Sequence, residues 1–97
     1  MRRQEPQKIT EQDLRFIYGE DYRFFVEKIL PNCFCHVCYP QKGEPTTIVN
    51  YQIVLDGLNN VVLQGFCKEC GGRISRYLET GEVAEYLPKI QQVKNEK

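Results

Sequence analysis

Cys33-Phe34-Cys35-His36-Val37-Cys38 and Cys67-Lys68-Glu69-Cys70-Gly71-Gly72 decide how this chain folds, because each contains two cysteines separated by two residues. Thiols at that spacing can close over one cation in a tight turn whose backbone amides point at the sulfurs, so each pair is half of a tetrahedral site. Between the halves lie 28 residues. Thr47, Val49, Tyr51, Ile53 and Leu55 alternate there with Ile48, Asn50, Gln52, Val54 and Asp56, the pattern of a strand with one wetter face. Asp56-Gly57-Leu58-Asn59-Asn60 is rich in turn formers and residues 61–66 make a returning strand, so the insert reads as a β-hairpin that carries the two turns to one place.

Cys35, Cys38, Cys67 and Cys70 are therefore the expected ligands of one structural zinc ion. Cys33 and His36 crowd the same site and are the alternative ligands. Otherwise Cys33 is a spare buried or half-exposed thiol and His36 a solvent-facing knuckle residue.

Over about residues 33–80 this arrangement resembles a zinc ribbon, the rubredoxin-like class of two knuckles, a hairpin and a third strand. The second knuckle is the closer likeness, since a glycine just past Cys70 permits the positive φ that such a turn often needs. The first departs from it, with Tyr39 and Pro40 after Cys38 in place of glycine. The resemblance implies a fold and a metal and no substrate.

Upstream, residues 1–9 read as a polar, flexible lead-in, and Thr10 as a helix N-cap with Glu11 and Asp13 in the first turn. Leu14, Ile17, Tyr18, Phe25 and Ile29 then fall at helical spacing, widened by Tyr22, Val26 and Leu30. Gly19 leaves two options open: one kinked helix to about Leu30, or two helices meeting at Tyr18-Gly19 with Asp21 capping the second. Pro31 ends the segment in both cases. Residues 39–46 read as a loop. Downstream of the second knuckle, residues 73–79 predict a third strand with Ile74 and Leu78 on one face. Residues 82–87 predict a short helix, with Pro88 allowing a further turn before a frayed, charged tail.

The expected fold class is thus α+β: an N-terminal helix or helix pair on a three-stranded antiparallel zinc ribbon, with a short C-terminal helix. After the lead-in, residues 10–97 form one domain of helical segment (10–31), ribbon (32–80) and short helix with tail (81–97). At 97 residues and 11.4 kDa one small core is the ceiling, so a metal that replaces missing core matters. Residues 1–12 lack the apolar run of a signal peptide and no stretch is long enough to cross a bilayer, so the expected location is cytoplasmic, where paired cysteines bind metal more often than they form disulfides.

Function is less legible. Lys and Arg total 13 against 13 Asp and Glu, and this zero balance speaks against a protein that holds nucleic acid mainly through phosphates. An enzyme is not expected: four thiolates leave zinc no open position for water, and the lone histidine lies inside a knuckle. Glu11, Asp13, Glu20 and Asp21 are accounted for as caps and solvated faces. The expectation is a non-catalytic binding module whose structural zinc supports a macromolecule-binding surface, the partner being another protein or a second copy. Phe16 and Phe24 lie off the main helical stripe and, with Arg73 and Arg76, are the candidate contact residues. A first alternative is nucleic-acid binding in a transcription or RNA setting, through Arg2, Arg3, Lys68, Arg73 and Arg76 beside Tyr51, Phe66 and Tyr77. A second is a rubredoxin-like iron redox protein, from which the absence of tryptophan and the long helical extension depart. No membrane and no small-molecule substrate is indicated.

Overall fold

The computed structural model describes residues 6–96. It is α+β, with a four-stranded antiparallel sheet in the order β1-β2-β3-β4 covered on one face by helices. The strands are β1 (Gln7–Ile9), β2 (Ile48–Leu55), β3 (Val61–Cys67) and β4 (Arg73–Leu78). Three strands were expected, and β1 corrects that count. Gln7, Lys8 and Ile9 pair with Leu55, Val54 and Ile53, so the end of the polar lead-in is part of the sheet. A three-residue strand carries too little pattern to be read locally; what holds it is the edge of β2 and the burial of Ile9.

Helix α1 (Glu11–Tyr18) starts where the sequence places it. Thr10 Oγ1 accepts from the Asp13 N–H at 3.1 Å, and the Asp13 carboxylate accepts from the Thr10 N–H at 3.0 Å, a capping box. At Gly19 the helix breaks into a 3-10 turn (Gly19–Asp21). The run then resumes through α2 (Tyr22–Phe24) and a π turn (Phe25–Ile29). Asp21 does not cap this second part; its carboxylate accepts instead from the Tyr86 hydroxyl at 2.8 Å. Leu14, Ile17, Tyr18, Phe25 and Ile29 are all buried, as their spacing requires. Residues 39–46 are not wholly loop, because Tyr39–Lys42 forms one helical turn, α3, with Pro40 in its first turn.

Strand β2 does not keep its alternation. Ile48 is buried, and so are Ile53 and Leu55, although 48 and 53 differ in parity. A bulge between Val49 and Gln52, with Asn50 at φ +51°, switches the faces midway. Gly65 on β3 is what allows the bulge to lie so close. A Cβ there would stand 2.7 Å from the Val49 carbonyl oxygen and 2.8 Å from Tyr51 Cβ. The turn between β2 and β3 is tied by Asp56 Oδ1, which accepts from the N–H groups of Leu58 at 2.8 Å and Asn60 at 3.0 Å.

The C-terminal helix lies later than the sequence suggests. Residues 80–82 make a 3-10 turn, and α4 runs from Leu87 to Asn95 with Pro88 in its first turn. Ile90 and Val93, one turn apart, are buried with Leu14 and Ile17 in the common core, so the segment expected to fray is docked. Among the described residues no helix is long and apolar enough to cross a membrane.

The docking of α4 predicts that Ile90→Ala lowers the unfolding free energy by about 2 to 5 kcal/mol, measured by urea denaturation. A loss within about 0.5 kcal/mol would mean that the tail frays after all.

Candidate metal centre

Two turns at one end of the sheet bring the cysteines together. Thr46 and Cys33 exchange backbone hydrogen bonds, N–H to O at 2.9 and 2.8 Å, which pins the first knuckle beside the start of β2. Tyr39 N–H then bonds the Cys35 carbonyl at 2.8 Å, closing the turn. The second knuckle joins β3 to β4: Gly71 N–H bonds the Cys67 carbonyl and Cys67 N–H the Gly72 carbonyl, both at 2.8 Å. Gly71 has φ +76°, the left-handed backbone anticipated just past Cys70.

The sulfurs of Cys35, Cys38, Cys67 and Cys70 all lie within 4.8 Å of one another. Across the knuckles, Cys35 and Cys70 are 3.6 Å apart and Cys38 and Cys67 3.9 Å apart. These are not disulfides, whose sulfurs sit at about 2.05 Å. They match the edge of a tetrahedron, since metal–sulfur bonds of about 2.3 Å put the ligands roughly 3.8 Å apart. The cluster can hold a metal ion. Three of the four cysteines are buried and Cys70 is exposed.

The surroundings favour anionic sulfur where it is needed. Backbone N–H groups of Cys38 and Val37 hold the Cys35 thiol below its ordinary value. The Thr46 hydroxyl, 3.3 Å from Cys67 Sγ, does most to bring that thiol down to about 6, against an opposing effect of burial. Gly72 N–H points at Cys70 Sγ from 3.4 Å. Cys38 goes the other way, pushed up to about 12 first by burial and then by hydrogen bonds to the neighbouring thiols. Four sulfurs this close cannot all carry charge unless a cation lies among them, and a divalent ion removes the conflict. The donor set therefore fits a thiophilic metal.

The alternative ligands stand outside the cluster. Cys33 is fully buried, with its sulfur directed at the carbonyls of Ile29 at 3.6 Å and Leu30 at 3.5 Å, and burial pushes its thiol up. His36 is exposed, beside Phe34, Tyr39 and Arg73 around an open pocket of about 440 Å³. Phe16 is 42% exposed and Phe24 57% exposed, while Arg73 and Arg76 lie on opposite faces of β4, Arg73 in solvent and Arg76 half-buried. Arg2 and Arg3 lie outside the described residues. Thr46 escaped the sequence, since nothing near it in the chain shows that its hydroxyl meets a sulfur 21 residues on.

Compared with models of protein families, with curated proteins and with solved structures, the chain gives no match.

Serine at Cys67 or Cys70 should abolish metal binding, and serine at Cys33 should leave one metal per chain, as read by native mass with and without chelator. Full occupancy in the Cys70→Ser protein would sink the assignment. Acid should release the metal, since protons compete for ligands that bind only when deprotonated. Thr46→Val removes the hydroxyl that favours the Cys67 thiolate, so the midpoint of release should move to higher pH; an unchanged midpoint would show that this hydroxyl does not tune the site.

Proposed function

We propose that the chain is a small, non-catalytic zinc-ribbon module in which one structural zinc ion on Cys35, Cys38, Cys67 and Cys70 supports a surface that binds another protein. The observation that carries this is the convergence of four thiol sulfurs from two knuckles, joined by an antiparallel hairpin and a following strand. Zinc bound there supplies a cross-link between the segment before β2 and the turn between β3 and β4, with no coordination position left for a reacting water. Four thiolates also accept iron. Zinc is the choice here because the chain lacks tryptophan and carries a long helical extension, unlike a rubredoxin.

Three of the acids in the helical segment support the non-catalytic reading, since they have structural tasks. Glu11 accepts hydrogen bonds from the hydroxyls of Tyr22 and Tyr51, Asp13 completes the capping box, and Asp21 holds Tyr86. The basic residues favour protein over nucleic acid as the partner. Arg73 and Arg76 point to opposite sides of β4, so they do not join in one phosphate-binding stripe.

Of the two off-stripe phenylalanines, Phe16 carries the Lys89 ammonium 5.8 Å from its ring centre, while Phe24 is the more exposed. Phe24 also borders Tyr77 and Val83, two further exposed apolar side chains. Such a grouping is the usual mark of an interaction surface.

Phe24→Ser and Phe16→Ser should keep zinc content and stability within about 0.5 kcal/mol of the parent. Phe24→Ser should abolish association with a protein partner or a second copy, followed by sedimentation and by crosslinking in cell extract. If either change cost roughly 3 to 5 kcal/mol, the ring would belong to the core and the surface would lose its main support.

A further inference from the structure

Strand register places an arginine where the sheet wants an aliphatic. Ile9 pairs with Ile53, Ile53 with Leu63 and Leu63 with Arg76, so these four residues form one row across the sheet. The first three are buried on the face covered by the helices. Within β4, Arg76 falls between Ile74 and Leu78, both buried on that same face. The guanidinium Nε is buried without a hydrogen-bond partner, and among the described residues no acid forms an ion pair with Arg76. Its charge is felt in the core, where it opposes the burial that pushes the Tyr18 hydroxyl up to about 12.

Such a position is unfavourable for the folded chain alone. A half-buried, unpaired cation has lost water without gaining a carboxylate, and an aliphatic side chain would fill the row at less cost. Arg76 lines an open surface pocket of about 310 Å³ with Phe24, Tyr77, Leu78, Val83 and the exposed Glu79. Beside it, β4 is the outer strand, and its far edge pairs with no described strand. Apolar walls, a half-buried guanidinium without an acidic partner and a free strand edge together match an extended peptide with a carboxylate next to an apolar side chain. Glu79 does not reverse that preference: it stays in solvent, where its charge is screened, whereas Arg76 gains most from a partner because it is already partly dry.

We propose that this pocket is the docking site of the protein-binding surface, and that it takes an extended acidic and apolar peptide segment of a partner, with the peptide carboxylate on Arg76 and an apolar side chain against Phe24, Tyr77 and Val83. The inference rests on the protein-binding reading above and names its site and the chemistry of its partner.

The test uses the full zinc-loaded chain and an array of short synthetic peptides of Leu, Val and Ser that carry one Asp or Glu at varied positions, each with its Asn or Gln counterpart. Acidic members should bind about tenfold or more tightly than their amides, and the difference should vanish in Arg76→Met. Arg76→Lys should recover only part of it, because an ammonium lacks the two-pronged geometry. Thermal unfolding supplies a readout that a structural role would move in the opposite direction: Arg76→Met should melt at the same temperature as the parent or higher. Equal binding of acids and amides, a difference that persists in Arg76→Met, or no binding by any member overturns the proposal. So does a lowered melting temperature in Arg76→Met, which would make the arginine part of the core. These failures leave the broader reading in place, since that is tested separately by the association and the stability of Phe24→Ser described above.

Discussion

Four sulfurs have to meet at one point, and the rest of the fold can be understood as what that demands. The pairs lie on turns 28 residues apart, and chain of that length returns on itself compactly as two antiparallel strands. Cys67 ends β3, so its sulfur position depends on the register of the hairpin; a slip of one residue would turn it to the other face. The Cys33 and Thr46 bridge then sets the first knuckle against the same end of the sheet, and the Thr46 hydroxyl touches Cys67 from there. Backbone pairing and sulfur chemistry are thus coupled through a few residues, and ordering of one favours the other.

What the cysteine end does not supply, the helices do. A small sheet with one solvated face needs a cover on the other, and the helical run from 11 to 29 together with α4 provides it. Tyr18 links the parts, with ring contacts to Phe25 at 5.4 Å and to Tyr86 at 5.1 Å. Tyr86 in turn bonds Asp21, which ties the segment before α4 to the break in the helical run. The cover stops short at the outer edge of β4, where Arg76, Phe24 and Tyr77 are left around an open pocket.

The carboxylates show how the same residues change meaning with context. Along the chain, Glu11, Asp13 and Asp21 are acids near helix starts, and the helix dipole is reason enough for them. In three dimensions Asp13 keeps that role, whereas Glu11 receives two tyrosine hydroxyls, one of them 40 residues away, and Asp21 receives another 65 residues away. Neither long-range task alters the residue type that capping would select, so the pattern of acids could not distinguish them.

By itself the sequence determined the paired cysteines, the hairpin between them, the N-cap at Thr10 and the apolar stripe through Leu14, Ile17, Phe25 and Ile29. Each of these depends on residues within a turn or a strand of one another, and their spacing is dictated by helix and strand geometry. Only the tertiary structure decided that Gln7–Ile9 joins the sheet, that a bulge at Asn50 exchanges the faces of β2, that Leu87–Asn95 is docked, and that Cys33 and His36 stand apart from the sulfur cluster. In each case the deciding interaction is with a partner distant along the chain: an open strand edge, the close approach allowed by Gly65, or a core that accepts Ile90 and Val93. Arg76 stands between the two, since strand alternation alone places it with Ile74 and Leu78, while its lack of an acidic partner becomes visible only when the neighbouring elements are packed around it.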